Sequence, residues 1–378
     1  MQERICHLTT VHRVFDVRIF RKQAKALAEA GYNVTLIAQH DRHETVDGIE
    51  IVSLPRPKNR FQRIFVTTWQ AFRLALRQRA HVYHFHDPEL LPVGVLLKFL
   101  THARVIYDVH EDYSQAIRTK YWISKPWRAI LARLFHFIEQ LTSRSLDAIV
   151  SVTEAIQSHF PAKKTVLVKN YPILEFAGIP RRNPSQRNSL VLIYVGGLTR
   201  LRGIYELVQA LELLNSHWDV RLELLGQFIE PTFEQKVRAL KGFQQVQFYG
   251  WVPYREVFLH LQRADIGFVL FHPVPNHTEA LPTKLFEYMS IGLPVIVSYF
   301  PLWREIVEGN QCGVTVNPLD PQDIASAIEY LLQRPELRCR MGQSGRQAVQ
   351  AKYNWEVEAK KLTELYEKLL SPRGGRSS

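Results

Sequence analysis

The sequence predicts an α/β protein built from two doubly wound domains that face one another across a cleft. Apolar strands alternate with helical patterns along the chain, which is typical of parallel sheets covered on both faces. At 378 residues the chain is longer than one hydrophobic core usually supports. A polar segment without periodicity, residues 180–188, separates the two alternating series and indicates a linker.

The apolar runs give the predicted order of the strands. In the first series we expect strands near residues 5–9, 34–38, 49–54, 82–86, 105–109, 148–152 and 166–169. In the second series we expect strands near residues 190–195, 221–225, 246–249, 266–270, 294–297 and 314–316. Because ligands of such sheets bind at the carboxyl ends of the strands, residues that directly follow strands are the candidates for function.

These elements predict the domain boundaries. The first domain is expected to span residues 1–180 and the second residues 188–354. A C-terminal helix at about residues 355–371 is expected to pack back on the first domain, and residues 371–378 are expected to be disordered.

Composition bounds the cellular setting and the partners. No apolar run reaches the roughly 18 residues that cross a bilayer, and the best one, residues 90–97, is stopped by Lys98. Three separated cysteines, Cys6, Cys312 and Cys339, form no metal or redox spacing, which favours a reducing cytoplasm. The net charge of +12 indicates an anionic partner, either a nucleotide diphosphate, lipid headgroups or nucleic acid.

The segment at residues 278–298 contains two carboxylates, Glu279 and Glu287, with Lys284 between them. A helix that starts after such a turn presents unpaired N–H groups and a positive dipole end, which suits a phosphate. Glu287, further along the helix, could accept hydrogen bonds from two neighbouring sugar hydroxyls. This combination favours a sugar nucleotide, and the alternative is an ordinary amphipathic helix with solvated acids.

A glycine pair, Gly196 and Gly197, follows the first strand of the second series and precedes Arg200 and Arg202. The glycines would let the backbone approach a ligand, and the two arginines could face a diphosphate. A structural turn with exposed arginines is the alternative. Neither a dinucleotide fingerprint nor a P-loop is present.

Polar residues also follow two strands of the first series. His110 ends one strand and is expected to point into the cleft, where it could contact a sugar or move a proton. A capping or exposed loop histidine is the alternative. His84, His86 and Asp87 end the preceding strand, but no further spaced ligand accompanies them, which disfavours a metal site.

Two stretches combine basic and aromatic residues. The first lies between Glu50 and Asp87, contains no acidic residue, and carries Arg56, Lys58, Arg60, Arg63, Arg73, Arg77 and Arg79 with Phe61, Phe65, Trp69 and Phe72. The second, residues 118–137, carries Arg118, Lys120, Tyr121, Trp122, Lys125, Trp127, Arg128, Arg133 and Phe135. Such faces suit an anionic membrane surface, and the alternative is core aromatics beside solvated arginines. Nucleic acid is disfavoured because no binding motif accompanies the charge.

Taken in order, these motifs resemble the family-four glycosyltransferases, which have the GT-B fold of two Rossmann-like domains and retain the anomeric configuration. The second half carries the resemblance through YVGGLTRLRG, VQFYGWV, ADIGFVLF, the Glu-x7-Glu segment, GLPVIVS and YNWEVEAKKLTELY. The first half matches more loosely through HFHDPELLPVG and VIYDVHEDY. The resemblance covers nearly the full length.

The resemblance implies roles for individual residues. Glu287 would hold the nucleotide ribose, and Glu279 and His110 would be catalytic residues at the donor sugar. Arg202 and Lys284 would hold the diphosphate. The other implied contacts are Gly196, Gly197, Arg200 and the backbone near Leu281 and Thr283.

Two departures from the family pattern affect the phosphate contacts. The loop at residues 11–16 lacks the usual glycines, so Arg13 or Arg18 could substitute there. Gly197 stands where many members have arginine, which leaves Arg200 and Arg202 as the candidates.

The sequence therefore predicts a retaining glycosyltransferase that moves a sugar from a nucleotide-diphosphate sugar to a glycan or lipid-linked acceptor. It is expected to need no metal and no cofactor, to lie in the cytoplasm at the anionic inner face of the membrane, and to serve polysaccharide assembly. The alternatives are a sugar-nucleotide 2-epimerase of the same fold and a non-catalytic sugar-nucleotide-binding or membrane-binding module.

Overall fold

The computed structural model describes residues 2–119, 124–174, 189–215 and 218–371. The chain forms two compact units, of which the first contains Met1–Asn170 and Trp355–Ser378 and the second contains Tyr171–Asn354. The predicted linker at 180–188 lies outside the described residues, as do residues 372–378 of the predicted disordered tail.

The first unit is built on an eight-stranded sheet in the order β3-β4-β2-β1-β5-β6-β7-β8. Its strands are β1 (Arg4–Arg13), β2 (Asn33–Gln39), β3 (Glu44–Val46), β4 (Ile49–Leu54), β5 (Val82–Phe85), β6 (Arg104–Val109), β7 (Ala148–Ser151) and β8 (Thr165–Leu167). Neighbouring strands are parallel except β3 and β4. The short edge strand β3 was not predicted. A two-residue turn, Asp47 and Gly48, joins it to β4 with positive φ at both positions, as a tight hairpin requires.

Helices cover this sheet. They are α1 (Lys25–Glu29), α2 (Thr68–Gln78), α3 (Leu91–Thr101), α4 (Tyr113–Thr119), α5 (Lys125–Ser145), α6 (Glu154–Ser158) and α15 (Trp355–Leu370). Two π-helical segments, Val17–Ala24 and Gln62–Thr67, precede α1 and α2, and 3-10 turns occupy Pro88–Leu90 and Ala162–Lys164. The Asp16 side chain caps the first π-helical segment by accepting from Arg18 N and Ile19 N. The C-terminal helix α15 packs against that segment and β8.

The second unit is built on a six-stranded parallel sheet in the order β11-β10-β9-β12-β13-β14. Its strands are β9 (Leu190–Val195), β10 (Val220–Leu225), β11 (Val246–Gly250), β12 (Ile266–Val269), β13 (Val295–Ser298) and β14 (Gly313–Val316). Its helices are α7 (Ile204–Glu212), α8 (Pro231–Arg238), α9 (Tyr254–Arg263), α10 (Pro275–Thr278), α11 (Thr283–Ser290), α12 (Pro301–Val307), α13 (Pro321–Leu332) and α14 (Pro335–Ala351). The segments Arg200–Arg202 and Lys241–Gln245 form 3-10 turns.

Both sheets are doubly wound, and this confirms the predicted fold class. In the first sheet the strand order reverses at β1, which lies between β2 and β5; in the second it reverses at β9, which lies between β10 and β12. Ligands of open parallel sheets bind outside the carboxyl ends of the strands at such reversal points. The residues that follow β1, β5, β9 and β12 are therefore the first candidates for a ligand-binding site. No helix in the described part of the chain is both long enough and apolar enough to span a membrane.

Candidate functional site

A glycine turn follows β9 in the second unit. Gly196 has φ of +124°, and a Cβ built there would lie 2.9 Å from Lys284 Nζ. Gly226, at the end of the neighbouring strand, packs against this turn, since a Cβ there would lie 1.9 Å from Gly196 O. A side chain at Gly196 would be strained and would displace the lysine, so the turn requires glycine.

Two cations converge on the glycine turn. Lys284 Nζ lies 3.9 Å from the centre of the Tyr194 ring. Arg202 Nη1 would lie 3.3 Å from a Cβ at Gly197, and its guanidinium stacks 5.5 Å from the Phe271 ring. These two side chains are thus close to each other. Like charges at this separation repel unless an anion lies near them.

The hydrogen-bonding needs of the Lys284 ammonium are less well met than those of Arg202. Its Nζ is buried and finds no hydrogen-bond acceptor among the described residues. Burial lowers the pKa of Lys284 well below its usual range, and the Arg202 charge lowers it further. A buried ammonium without an acceptor is costly, so the arrangement favours a bound anion.

Helix α11 contributes its amino terminus to the same region. It begins at Thr283 directly after Pro282, and no side chain caps it. The first N–H groups of such a helix present partial positive charge, which adds to that of Lys284. The predicted backbone contacts near Leu281 and Thr283 lie at this terminus.

The two predicted carboxylates lie on different segments of the second unit. Glu287 is half-buried on α11, and its Oε1 accepts a hydrogen bond from the Tyr254 hydroxyl at 3.3 Å. Glu279 follows the short helix α10 and is exposed to solvent. Its neighbour Ala280 is anchored, because Trp303 Nε1 donates to the Ala280 carbonyl at 2.7 Å. Glu279 is therefore held on a fixed backbone with its carboxylate open to a ligand.

The structure separates the two predicted arginines of the glycine turn. Arg202 reaches the turn, whereas Arg200 is exposed and lies at the start of the 3-10 segment. Arg18 is not available as a phosphate contact, because it is buried and paired with Asp108 in the first unit. That suggested substitution was wrong. Arg13, the other suggested substitute, is exposed.

In the first unit, His110 follows β6 and belongs to a buried polar network. Its Nε2 lies 3.2 Å from Asp108 Oδ2 and 3.2 Å from His86 Nδ1. Asp108 also accepts from Gln23 Nε2 at 2.7 Å. Burial opposes ionisation of Asp108, but Arg18 and His110 outweigh it and hold the pKa of this carboxyl well below its usual range. The network therefore fixes the orientation of the His110 ring.

Three buried histidines extend this network. His7 Nδ1 and His86 Nε2 are 2.9 Å apart, and the Tyr366 hydroxyl lies 2.7 Å from His84 Nδ1. Burial lowers the pKa of all three imidazoles, that of His86 to about 3. Nitrogens of His7, His84 and His86 lie within 4.8 Å of one another, as do ligand atoms of His86, Asp108 and His110.

Sequence reasoning grouped Asp87 with His84 and His86, and the structure separates it from them. Asp87 Oδ2 accepts from the Thr9 hydroxyl at 2.9 Å and from Val11 N at 3.2 Å. It therefore holds the second half of β1 in place. Sequence reasoning missed His7 and Asp108, and it gave Arg18 a phosphate role instead of its pairing with Asp108. The available signal was polar residues at every second position in and directly after apolar strands, as in His84 of β5 and His86 just beyond its end.

The basic aromatic stretches are largely exposed. In the first stretch Phe61, Phe65 and Trp69 are 70%, 60% and 56% exposed, although Phe72 is buried. In the second, Trp127 and Phe137 are also exposed, and Phe135 is half-buried. The predicted contributions of residues 120–123 lie outside the described part of the chain. The alternative that these aromatics form core therefore fails for most of them.

Comparison with known proteins identifies the family. Residues 176–348 match the family described as glycosyl transferases group 1, and residues 17–170 match the glycosyl transferase 4-like domain. Glycogen synthase of Mycobacterium tuberculosis is 22% identical over 391 residues, which cover 93% of this chain and 90% of that protein.

Solved structures show the same fold. Sucrose-phosphate synthase from Thermosynechococcus elongatus superposes with a TM-score of 0.78 at 20% identity over 97% of this chain and 99% of that one. HepE from Anabaena, in complex with UDP-glucose, gives 0.72 at 13% identity over 97% and 99%. The two family models adjoin one another and together match most of the sequence. The chain therefore belongs to the family-four type of glycosyltransferases with the GT-B fold.

Proposed function

We propose that this glycosyltransferase is a retaining enzyme that transfers a sugar from a nucleoside-diphosphate sugar to a glycan or lipid-linked acceptor. The acceptor hydroxyl oxygen forms a bond to the anomeric carbon. The bond from that carbon to the diphosphate oxygen breaks, and its electron pair leaves with the diphosphate. The hydroxyl proton passes to the departing diphosphate, so the enzyme's main task is to stabilise growing negative charge.

The environment of Lys284 is the main observation that supports the proposal. Its ammonium is buried beside the glycine turn with no hydrogen-bond acceptor among the described residues. A diphosphate would supply acceptors and charge at once, and it would restore the normal protonation of the lysine. Arg202 and the uncapped terminus of α11 would hold the same group.

These positive groups also support transfer without a metal ion. A metal in such enzymes would neutralise the diphosphate, which Lys284 and Arg202 can do themselves. Within the described residues, the histidine and carboxylate groups that could hold a metal all lie in the first unit, whereas Lys284 and Arg202 lie in the second.

The carboxylates suit the sugars of the donor. Glu287, oriented by Tyr254, could accept two hydrogen bonds from the ribose hydroxyls, each worth roughly 1.5–3 kcal/mol. Glu279 presents an exposed carboxylate on an anchored backbone, which suits hydroxyls of the transferred sugar. His110, held by Asp108, is proposed to contact that sugar as well.

The exposed apolar faces of the first unit support attachment to an anionic membrane at the cytoplasmic side. Helix α5 presents Trp127, Ile130, Leu131, Leu134, Phe137, Ile138 and Leu141 in one exposed stripe. Its carboxylate Glu139 is buried and accepts from the Tyr107 hydroxyl at 2.9 Å, and burial raises the pKa of Glu139 to about 7. The outer face thus carries apolar and basic residues, as peripheral membrane proteins require.

The test is donor turnover across a panel of nucleotide sugars, beginning with UDP-glucose because the HepE structure contains it. Release of nucleoside diphosphate is measured with and without Lys284→Gln, and NMR of the product reports the anomeric configuration. Lys236→Gln, on an exposed face of the same unit, is the matched control. Loss of turnover in Lys284→Gln alone supports the proposal. Equal turnover in both variants, or an inverted product, contradicts it.

A further inference from the structure

A cavity of about 920 Å³ lies in the first unit beside His110. Its size is near the upper end of the range for small-molecule pockets. Its polar lining consists of His12, Arg60, Arg63, Asp87, Glu89, His110 and Glu111. Its apolar lining includes Ile64, Ile117, Leu131, Leu134, Phe135 and Ile138. The lining is therefore amphipathic.

The polar lining presents oriented hydrogen-bond acceptors. Glu89 Oε1 accepts from the Thr10 hydroxyl at 2.9 Å and pairs with Arg63 Nε at 2.8 Å. Asp87 Oδ1 lies 3.5 Å from His12 Nε2. Because Glu89 balances the charge of Arg63, these groups suit neutral hydroxyl groups better than a diphosphate.

The apolar lining comes from three helical segments. Ile64 comes from Gln62–Thr67, Ile117 from α4, and the remaining residues from α5. Leu134 is 52% exposed and Ile138 is 41% exposed although both line the cavity. Saccharide alone would leave these side chains in contact with water. A hydrocarbon chain would cover them and gain free energy for each buried methylene group.

We propose that this cavity binds the acceptor, and that the acceptor is an amphiphile with a hydroxyl-bearing head and a hydrocarbon chain. The head lies at Asp87, Glu89 and His110, and the first carbons of the chain lie against Ile117, Leu134 and Ile138. This inference rests on the proposed function, because the head supplies the hydroxyl that attacks the anomeric carbon.

The exposed stripe of α5 argues for this occupant. Leu131, Leu134 and Ile138 face the cavity, and Trp127, Phe137 and Leu141 of the same helix are exposed outside it. An apolar surface thus continues from the cavity wall along the helix. A hydrocarbon chain can follow it, whereas a soluble glycan has no use for it.

The experiment compares methyl and octyl β-D-glucopyranoside as probes below the micelle concentration. Binding to the full chain is measured by calorimetry, and both are offered as acceptors with the donor that is turned over. Each methylene group buried in the cavity should lower Kd by roughly threefold to fourfold. The octyl probe should therefore bind at least tenfold more tightly than the methyl probe.

The double variant Leu134→Ser, Ile138→Ser should lose this dependence on chain length. Leu100→Ser is the matched control, because Leu100 is 62% exposed on α3 and does not line the cavity. Ile64→Trp, which fills space beside the apolar lining instead of making it polar, gives a second test if the double variant does not fold. It should weaken octyl binding and leave methyl binding unchanged.

The outcomes separate this inference from the proposed function. Chain-length dependence that the cavity variants abolish and Leu100→Ser retains supports the inference, whether or not a donor is turned over. Donor turnover with equal binding of both probes overturns the inference and leaves the proposed function intact. Dependence that survives in the cavity variants places the chain elsewhere and also overturns it. A dimer that Leu134→Ser dissociates assigns the stripe to a second copy and overturns it as well.

Discussion

The Arg18 guanidinium donates two hydrogen bonds to the Asp108 carboxylate, from Nε to Oδ2 at 3.0 Å and from Nη2 to Oδ1 at 2.8 Å. Both residues are buried. A third hydrogen bond runs from Arg18 Nη1 to the Val168 carbonyl at 3.1 Å. The pair joins the helical segment after β1 to the end of β6, two residues before His110.

Removing the charge of Asp108 should destabilise the protein strongly. Asp108→Asn leaves the Arg18 charge buried without a counter-charge, so the free energy of unfolding should fall by about 3–5 kcal/mol. Denaturation in urea measures it. Glu234→Gln, which breaks the exposed pair with Arg238, should cost less than about 1 kcal/mol. Equal losses in the two variants would show that the buried Arg18–Asp108 pair contributes no more to stability than an exposed pair.

Acid should destabilise the first unit through its histidines. Burial lowers the pKa of His7 and His84 well below the usual 6.5 and that of His86 to about 3. The unfolded chain then binds more protons, so stability is lost as the pH falls below about 6.5. Between about pH 7.5 and 5.5 each histidine should cost roughly 1 kcal/mol, and protonation of Glu139, whose pKa burial raises to about 7, offsets part of this loss.

The contribution of the buried histidines to this pH dependence can be tested by substitution. Although burial opposes it, Asp16 and Asp87 raise the pKa of His12, so His12 acts in the opposite direction and reduces the total. His84→Phe should reduce the slope when the free energy of unfolding is plotted against pH. His43→Phe, an exposed control, should leave the slope unchanged. A His84→Phe slope equal to that of the wild type would exclude the cluster as the cause.

Nucleotide binding should be accompanied by proton uptake at Lys284. Its pKa is lowered by burial and by Arg202 in the ligand-free protein, and a bound diphosphate would raise it again. Affinity for UDP should therefore fall as the pH rises through the lowered pKa of Lys284. Calorimetry in buffers of different ionisation enthalpy measures the uptake, which Lys284→Ala should abolish.

Lys284→Ala with Arg202→Ala should also lower turnover more than donor binding, by about 2–4 kcal/mol for each change.

Glu287→Ala should weaken nucleotide binding by about 10- to 100-fold, because a bidentate charge-assisted contact is lost. Tyr254→Phe should have a smaller effect in the same direction, since Tyr254 orients the carboxylate. Glu256→Ala, an exposed carboxylate on α9, is the control. A 2′-deoxynucleotide should bind wild type more weakly but bind Glu287→Ala as its parent does. Unchanged affinity of Glu287→Ala for UDP would remove the ribose assignment.

The protein should bind anionic vesicles through its first unit. Exposed arginines on α2 would each contribute up to about 1 kcal/mol that salt screens, and exposed Phe61 and Phe65 would add a part that salt does not remove. Flotation with phosphatidylglycerol vesicles should show partial retention at high salt. Arg73→Glu with Arg77→Glu should weaken binding, and Lys236→Glu with Arg255→Glu in the second unit should not. Wild type that stays soluble at low salt would refute the membrane proposal.

The alternation of apolar strands with helical patterns was sufficient to predict most of the fold. Strands such as β9 and β13 are continuous apolar runs bounded by glycine or proline, and those signals are local. The glycine turn and Lys284 were also found this way, because both lie next to such a strand or helix. The hairpin strand β3 was missed since three residues are too few for a period, although Asp47 and Gly48 are a turn signal.

The buried network could not be predicted in the same way. His7, His84 and Asp108 meet only because β1, β5 and β6 are neighbours in the sheet, and strand order is not encoded in any local pattern. The heptad-like spacing on α5 gives a stripe, but it does not say whether protein covers that stripe. Burial of Arg18 follows from its pairing with Asp108, 90 positions away.

The return of α15 to the first unit sets an order for folding during synthesis. The ribosome makes residues 171–354, the whole second unit, before it makes the helix that bears Tyr366. Until then His84 Nδ1 lacks the Tyr366 hydroxyl that lies 2.7 Å from it in the folded protein. The domain whose synthesis begins first is therefore the last to be completed, because its hydrogen bond between Tyr366 and His84 can form only after residue 366 has been made.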